Sequence, residues 1–474
     1  TRPMTNFWMT RRWIVALAAL TLAGCAVGPD YKKPQVPTAP QFRGAEAGTA
    51  DKPSLAETKW ADLFQDDTLK GLIRDGLTSN FDVRIAAERV LQARASLGIS
   101  ESQLFPTVNA TGQFSAVRNS RIGANRFVPP GVSLDSSYTQ AGFSLGWELD
   151  VWGRIRRLNE SARAQYLASE EARHGVITTL VSDISTTYFS LRELDLELAI
   201  AQKTKDIAQK GLQITTARHD RGAATGLDVH QAEQFLYTAT AQIASIERQI
   251  AQTENAMSLL LGRSPGDVPR GKALEEFALA PSIPAGLPSA LLERRPDIRQ
   301  AEQTLIAANA QIGAAKAQYF PQISLTSFLG GQSRALTNLL TGDGRSWNFV
   351  PAAALPIFNA GRIRNNVRLT EAQQREAVLN YQKSIQTAFR EVSDSLIGYR
   401  KISDQKSEQE SLVKALRESD RLSTLRYQGG LDSYLQVLDA ERNLFTGELL
   451  LAQLRREELL SVVRLYRALG GGWQ

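Results

Sequence analysis

The sequence predicts a mixed α/β membrane protein made of two similar copies, each with a pair of short amphipathic strands and two unusually long helices. Three observations support this fold class. A short apolar run ends at the only cysteine of the 474 residues. An internal repeat of domain size covers most of the chain. Within each copy, the hydrophobic period changes from helical to alternating and back.

The N-terminal segment is typical of an exported lipoprotein. Arg11 and Arg12 precede an apolar stretch that is too short to span a bilayer as a helix, and Leu22-Ala23-Gly24-Cys25 matches the bacterial lipobox. We therefore expect residues 1–24 to be a signal peptide and Cys25 to carry covalent lipid, including palmitate. Ala26, in place of an aspartate, favours the outer membrane. The alternative is an ordinary signal peptide followed by a free thiol, which would be a liability in an oxidising compartment.

The charge balance excludes an obvious nucleic-acid partner. The chain has 55 Lys and Arg against 49 Asp and Glu, and no dense basic run. Beyond the signal, no apolar stretch approaches the roughly 18 residues of a membrane helix. A second membrane contact would therefore be the lipid or a β-barrel.

Two pairs of similar segments define the repeat. "LFPTVNATGQFS" at 104–115 resembles "YFPQISLTSFLG" at 319–330, an offset of about 215 residues. "WGRIRRLNESARAQ" at 152–165 resembles "AGRIRNNVRLTEAQ" at 360–373, an offset of 208. A period this long indicates a duplicated unit and not a solenoid. The resulting division is a lipid-anchored and equatorial segment 25–79, a first copy 80–262, an equatorial linker 263–288, a second copy 289–470 and a tail 471–474.

Each copy begins with a helix and continues into strands that alternate apolar and polar residues. The alternation predicts strand pairs at about 106–121 with 137–152, and at about 321–332 with 346–358. Such strands suit a transmembrane barrel, with aromatic residues near their ends (Trp152, Trp347, Phe358). The alternative is a small sandwich or hairpin domain with one face on a core.

Long helices follow the strands. Residues 155–217 and 363–427 contain no proline, and each stretch ends at a glycine-containing break before a second helix, 227–261 or 433–469. About sixty helical residues make a rod on the order of 90 Å long, which indicates coiled-coil-like packing. Four strands cannot close a membrane barrel alone. Two chains would give eight strands and a filled interior, whereas three would give twelve and room for a lumen.

The chain resembles the TolC-like outer-membrane factors, in particular the OprM-like lipoprotein branch that serves resistance-nodulation-division efflux systems. The resemblance covers nearly the whole mature chain. It rests on "CAVGPDYKKP" after the signal, "NFDVRIAAERVLQAR" at 80–94, "LLERRPDIRQAE" at 291–302 and "RYQGGLDSYLQVLDAER" at 426–442. It implies a homotrimer with a twelve-stranded outer-membrane barrel, continued by a periplasmic α-helical barrel that is closed at its inner end.

The function implied by the resemblance is a passive exit duct for drugs or other small molecules. Its partners would be a periplasmic adaptor (membrane-fusion) protein, an inner-membrane transporter and outer-membrane lipid. Two alternatives remain: a periplasmic coiled-coil adaptor or scaffold lipoprotein, and the same duct serving metal-ion or type I export.

The resemblance also places a gate at the second helical break. "LQVLDAER" matches the segment that lines the closed tip, so Leu435 would form an apolar constriction, Asp439 a carboxylate ring and Arg442 a polar partner. Leu435 and Asp439 are four residues apart and can share a helix face. From spacing alone, Asp439 could equally be a solvated charge on an amphipathic helix.

A latch that holds the tip closed would include Tyr427. Gln428 stands where the family commonly has a basic residue, so a charged latch there is not supported. Asp220 and Asp228 flank the first break and are candidate partners, although aspartates beside turns usually cap helices. The predicted hinge positions are Gly222, Gly226, Gly429 and Gly430.

No enzyme chemistry is visible in the sequence. The three histidines (His174, His219, His230) lack ligand spacing, and no catalytic triad or phosphate loop is present. Arg294-Arg295-Pro296-Asp297 is better explained as a helix start, with proline and an acid in the first turn. We expect no cofactor other than the covalent lipid.

Overall fold

The computed structural model describes residues 26–37, 41–45, 54–120, 131, 133–277, 286 and 288–473. Cys25 and the signal peptide expected over 1–24 lie outside these residues. The chain divides into two compact units. The first unit contains the segment up to Pro34 together with Leu91–Ala168 and Glu302–Asn380, and the second contains Gln35–Val90, Ser169–Ala301 and Tyr381–Gln474.

The described residues form nine helices and four strands, besides short 3₁₀ turns. In chain order these are α1 Trp60–Leu63, α2 Asp67–Ser79, α3 Phe81–Ser102, β1 Thr107–Arg118, β2 Asp135–Leu149, α4 Arg154–Asp220, α5 Gly226–Leu260, α6 Pro288–Arg294, α7 Pro296–Ala317, β3 Gln322–Ser333, β4 Arg345–Ala354, α8 Arg362–Gln428 and α9 Tyr434–Ala468. None of these helices is both long enough and apolar enough to cross a membrane.

The two copies match element by element. Helices α4 and α8 each have 67 residues, and α5 and α9 each have 35. All four begin and end at positions separated by the offset of 208 that the sequence motifs give. Strands β1 and β3 are 12 residues long and keep the other offset, 215. The repeat therefore extends from local motifs to the boundaries of the elements.

The first unit contains a single antiparallel sheet in the order β1-β2-β3-β4. Its register pairs Val108 with Leu145, Phe143 with Leu329, and Leu329 with Trp347, so most of the apolar side chains of the four strands share one face. That face is open in the single chain, since Phe143 is 62% and Trp347 71% exposed. The opposite face is mostly Ser, Thr, Asn and Gln. Among the described residues, no strand pairs with the outer edge of β1 or of β4.

Strands β2 and β4 end before the residues expected from the alternation. Strand β2 stops at Leu149 because the carboxylate of Asp150 caps α4, accepting hydrogen bonds from the backbone N–H groups of Ile155 (2.9 Å) and Arg156 (2.8 Å). Strand β4 ends at Ala354, four residues short of the expected 358, and Pro356 follows without an N–H for a ladder.

The segment that follows Cys25 is fixed against the strand-to-helix turn of the first unit. The N–H of Val27 donates to the carbonyl of Trp152 (3.0 Å), and the buried Arg157 guanidinium donates to Asp30 (2.8 Å). A Cβ added at Gly153, whose φ is +77°, would lie 2.8 Å from the Cα of Ala26. The Trp152 indole stacks on Phe320 with the ring centroids 4.7 Å apart. The residue after Cys25 therefore lies beside the aromatic end of the sheet.

A polar cluster stands inside the apolar core of the second unit. Asp66 caps α2 and accepts hydrogen bonds from the N–H groups of Thr68 (2.8 Å) and Leu69 (3.1 Å). The hydroxyl of the fully buried Tyr188 donates to Asp66 (2.7 Å) and accepts from the N–H of Gly271 (3.0 Å). Burial raises the pKa of Asp66, but these hydrogen bonds together hold it below its ordinary value.

Candidate functional site

The turns that join each long helix to its shorter partner have the same backbone geometry. Beyond α4, Gly222 has a φ of +76°, and the N–H of Ala223 donates to the carbonyl of Arg218 (2.8 Å). Beyond α8, Gly430 has a φ of +74°, and the N–H of Leu431 donates to the carbonyl of Arg426 (2.9 Å). Both are glycine caps of the kind that end helices in a left-handed residue.

Two other predicted hinge glycines have ordinary roles in these turns. Gly226 is the first residue of α5, and Gly429 is the first residue beyond α8. Neither has a positive φ. The backbone requirement for glycine in the two turns therefore falls on Gly222 and Gly430.

Leu435, Asp439 and Arg442 lie on one exposed face of α9. Leu435 is 50% exposed, and the other two are exposed as well. Their spacing of four and three residues keeps them on one side of the helix. The Asp439 carboxylate accepts a hydrogen bond from Asn443 (3.2 Å). Arg442 donates to the side chain of Gln234 on α5 (3.1 Å), so it contacts the hairpin formed by α4 and α5.

The opposite face of α9 belongs to a small apolar core at the turns. This core, here called the tip core, brings together residues from α4, α5, α8 and α9. Its buried members are Ala208, Ala232, Phe235, Tyr434, Val437 and Leu438, with Leu212, Leu236 and Tyr427 packed at its edge. The tip core holds two helical hairpins, α4 with α5 and α8 with α9, against each other. The face of α9 that carries Asp439 lies outside this core.

Tyr427 lies where α8 meets the first hairpin. The Arg218 guanidinium, on α4, is 4.4 Å from the centre of the Tyr427 ring, and its Nη1 is 3.5 Å from the Tyr427 carbonyl oxygen. On its other side, the Tyr427 ring is 5.4 Å from the ring of Tyr434. Tyr427 therefore joins the two hairpins through Arg218, a residue that no local sequence pattern indicates.

The structure gives Asp220 and Asp228 different surroundings from the latch that the sequence suggested. Asp228 forms a capping box with Thr225, accepting from its N–H and its hydroxyl at 2.8 Å each. Asp220 is largely exposed and lies 3.7 Å from a ring nitrogen of His219. Both contacts are local to the first turn.

A second arginine braces the other turn. The Arg426 guanidinium donates to both oxygens of Asp432, at 2.6 and 3.2 Å, and this hydrogen bonding holds the pKa of Asp432 below its ordinary value. Arg218 and Arg426 are equivalent residues of the two copies. The repeat offset was therefore the signal that could have singled out Arg218.

The described residues contain no group of three or more His, Cys, Asp or Glu side chains arranged to hold a metal ion. At the tip, the exposed charged side chains of Asp439 and Arg442 lie on one face of α9. Arg218 and Arg426 make the contacts at the ends of the two long helices next to this face. Its chemistry is electrostatic: a carboxylate on such a face attracts cations and repels anions.

Comparison with known proteins identifies the class of protein. The family model for outer membrane efflux proteins matches residues 72–263 and 287–471, two segments that nearly coincide with the two copies. The chain belongs to this family. Its members are outer-membrane components of efflux pumps and are passive channels, not enzymes, so the comparisons support a channel over a periplasmic scaffold.

Particular relatives cover nearly the whole chain. The solvent efflux pump outer membrane protein SrpC of Pseudomonas putida is 41% identical over 461 residues, which are 96% of this chain and 97% of the relative. The cation efflux system protein CusC of Escherichia coli K12 is 35% identical over 456 residues, 96% of this chain and 98% of CusC. The open-state structure of the Neisseria gonorrhoeae MtrE outer membrane channel is 30% identical, with a TM-score of 0.85 over 95% of this chain and 99% of MtrE.

Proposed function

We propose that three copies of this chain form the exit duct of a tripartite efflux pump, anchored by lipid on Cys25 and gated at the turns between the long and short helices. The single observation that carries the proposal is the sheet of the first unit. It has an open apolar face, which is unfavourable in water, and two edges without a strand partner, which are unfavourable in lipid, so a single chain is stable in neither.

Closure of that sheet sets the number of chains. Membrane barrels have at least about eight strands, and four per chain allow eight or twelve. Eight strands leave an interior that side chains fill, whereas twelve leave an open lumen. A duct needs the lumen, so three chains are favoured. The apolar face would meet the lipid, and the face of Ser, Thr, Asn and Gln would line the lumen.

The position of Ala26 supports lipid on Cys25. Ala26 contacts the turn at Gly153, next to the stacked Trp152 and Phe320. Aromatic rings at strand ends are typical of the membrane interface. An acyl chain attached one residue earlier would therefore begin at a height where it can enter the bilayer directly.

The exposed face of α9 supports the gate. Three copies of Leu435 and Asp439 around a threefold axis would form an apolar ring beside a carboxylate ring, with Arg442 tied to the next hairpin through Gln234. Carboxylate rings in narrow wet pores select cations. Tyr427 and Arg218 would form the latch, with Gly222 and Gly430 as the turns about which the hairpins move.

The choice of transported molecules is made by the pump that delivers them and not by this chain. The relatives include proteins named for solvent, antibiotic and cation efflux at 35 to 41% identity. A duct with so many kinds of cargo among its relatives is best explained as unselective. We infer that this chain conducts drugs or other small molecules delivered by an inner-membrane resistance-nodulation-division transporter through a periplasmic adaptor. Metal-ion or type I export would use the same duct.

Single-channel recording in planar bilayers tests the gate. We expect Asp439→Ala in the purified, detergent-extracted protein to raise conductance and to lower the preference for cations, because the carboxylate ring is removed. Glu247→Ala is the matched control, since it removes an exposed carboxylate from α5, 21 residues into that helix. Pores with wild-type conductance and selectivity in Asp439→Ala would show that Asp439 does not line the constriction.

A further inference from the structure

The interface between α8 and α9, here called the seam, contains pairs of oppositely charged side chains and one position where two acids occur instead. Lys406 binds Glu458 (2.7 Å), Arg417 binds Glu448 (2.7 Å), and at the turn Arg426 binds Asp432. Between the last two pairs lie two acids instead: Asp420 on α8, three residues from Arg417, and Glu441 on α9, seven residues from Glu448, so both are on the helix sides that carry the pairs. Two acids here are the unexpected feature of the seam, since like charges on facing helix sides repel each other.

The two carboxyl groups are at similar distances from the turn that joins α8 to α9. Asp420 lies eight residues before the end of α8, and Glu441 lies seven residues after the start of α9. Each is therefore roughly 11 Å from the turn along its helix. Within the described part of the chain, Asp420 Oδ1 and Glu441 Oε2 are buried atoms without a hydrogen-bond partner. Two buried carboxylates with unsatisfied oxygens cost free energy unless a proton neutralises one of them.

The groups around the pair do not neutralise it. Lys203 on α4 acts on Asp420 favourably, but Glu448 on α9 acts against it, and Arg417 is already bound to Glu448. Tyr434, also on α9, faces Glu441, but burial raises the pKa of Tyr434 to about 12, so it stays neutral. Burial, then the neighbouring Asp420, raises the pKa of Glu441 to about 7, and burial raises that of Asp420.

We propose that Glu441, on the side of α9 that faces Asp420, keeps its proton while α8 and α9 are packed together beside the gate, and that loss of this proton loosens the closed tip. The inference rests on the proposed function, because it assigns a regulator to that gate. Glu441 is two residues from Asp439, so repulsion at the seam acts on the helix that carries the carboxylate ring. The released proton passes to solvent, and no other reactant is needed.

The first copy supplies an internal comparison. At the offset of 208, Asp420 corresponds to Leu212 and Glu441 corresponds to Glu233. Leu212 packs at the edge of the tip core, and Glu233 binds His230 (2.8 Å). The first hairpin therefore has the same backbone without the acid pair. Asp420→Leu introduces the residue that the first copy already tolerates at that position.

The direction of the pH effect follows from linkage. The closed seam binds the proton more tightly than an open, hydrated seam, where Glu441 would return to its ordinary value near 4.5. The closed state is therefore favoured as the pH falls below about 7 and is lost as the pH rises through that value. For one such group per chain, the open-to-closed ratio rises at most about thirty-fold between pH 5.5 and pH 8.

Two measurements on the full-length protein test this proposal. In planar bilayers, we expect the open probability of the wild type to increase from pH 5.5 to pH 8, and expect Glu441→Gln and Asp420→Leu to remove that dependence. Glu233→Gln is the matched control and should keep the wild-type profile. The second measurement uses spin labels on Lys414→Cys and Thr446→Cys, exposed positions of α8 and α9. The distribution of distances between the two labels should broaden above pH 7 in the otherwise wild-type protein, and should stay unchanged in Glu441→Gln and Asp420→Leu.

The two measurements separate the two proposals. A protein that makes no pores refutes the proposed function, and the label distances still test the acid pair because they require no pore. A protein that makes pores whose opening and label distances are equal at both pH values refutes the role of the Glu441 proton alone. A pH dependence that persists unchanged in both Glu441→Gln and Asp420→Leu also refutes it.

Discussion

The contact between Arg218 and Tyr427 allows an estimate of the free energy by which the proposed latch stabilises the closed state. Arg218→Ala removes the guanidinium that lies 4.4 Å from the Tyr427 ring, and keeps the Arg218 carbonyl that caps the first turn. A partly exposed cation–π contact contributes about 1 kcal/mol. The hydrogen bond to the Tyr427 carbonyl is long at 3.5 Å and adds little. We therefore expect about 1 kcal/mol of lost stabilisation per chain.

The effect on gating depends on whether the chains open together. If all three chains of the proposed trimer must open in one step, the loss is about 3 kcal/mol, which raises the open-to-closed ratio on the order of 100-fold. If each chain opens alone, the ratio for each rises only about five-fold. Single-channel recordings distinguish these cases, because independent opening gives intermediate conductance levels and concerted opening gives none.

Two variants of Tyr427 show whether its ring or its hydroxyl group stabilises the closed state. Tyr427→Phe keeps the aromatic ring, and should remain near the wild type, whereas Tyr427→Ala should open the channel about as much as Arg218→Ala. The matched control is Arg426→Ala, the equivalent arginine of the second copy, whose partner Asp432 lies in its own turn. Equal conductance in Arg218→Ala, Tyr427→Ala and the wild type would refute the latch. So would an effect of Arg426→Ala as large as that of Arg218→Ala.

Three further predictions concern the rest of the chain. Tyr188→Phe should lower the free energy of unfolding by about 2 kcal/mol, because it removes a buried, charge-assisted hydrogen bond to Asp66 and the acceptor of the Gly271 N–H. Thermal melting in detergent measures this, with Tyr237→Phe at a 65% exposed site as the control, and equal melting temperatures would contradict it. The stabilisation by Asp66 should be present above its ordinary pKa of 3.8 and be lost as the pH falls below it. Cys25→Ser, given a cleavable signal, should still form membrane-inserted trimers, since the strands provide a second anchor; complete loss of trimer on native gels would refute this order of importance.

Much of the fold was predictable because its signals are periodic or repeated. Alternation predicts the strands, the absence of proline predicts the long helices, and the offset of 208 residues aligns the copies. The ends of β2 and β4 were not predictable from alternation. Strand β2 ends where Asp150 caps the following helix, and this competition between a ladder and a cap involves residues outside the alternating pattern.

The candidate site was less predictable because its contacts join residues far apart in sequence. The helical spacing places Leu435 and Asp439 on one face, but nothing local indicates that Arg218 lies on the Tyr427 ring, 209 residues away. The position of Asp228 beside a turn allowed a latch partner but favoured a helix cap, and in the structure Asp228 forms the cap. Side chains whose partners lie on another hairpin need the tertiary structure, and the repeat offset only narrows the search.

The comparison of the copies suggests why the proposed gate involves mainly one hairpin. The two hairpins share lengths, turns and capping glycines, so backbone differences do not distinguish them. Their side chains do: Gln231 and Gln234 of the first copy correspond to Asp439 and Arg442 of the second, and Leu212 corresponds to Asp420. The first hairpin keeps neutral residues at these positions, and offers Arg218 and Gln234 as partners to the second. A duplicated backbone thus allows one hairpin to serve as a stable support while the other accumulates the charges that a gate requires, and a substitution such as Gln231→Asp should therefore alter conductance far less than Asp439→Ala.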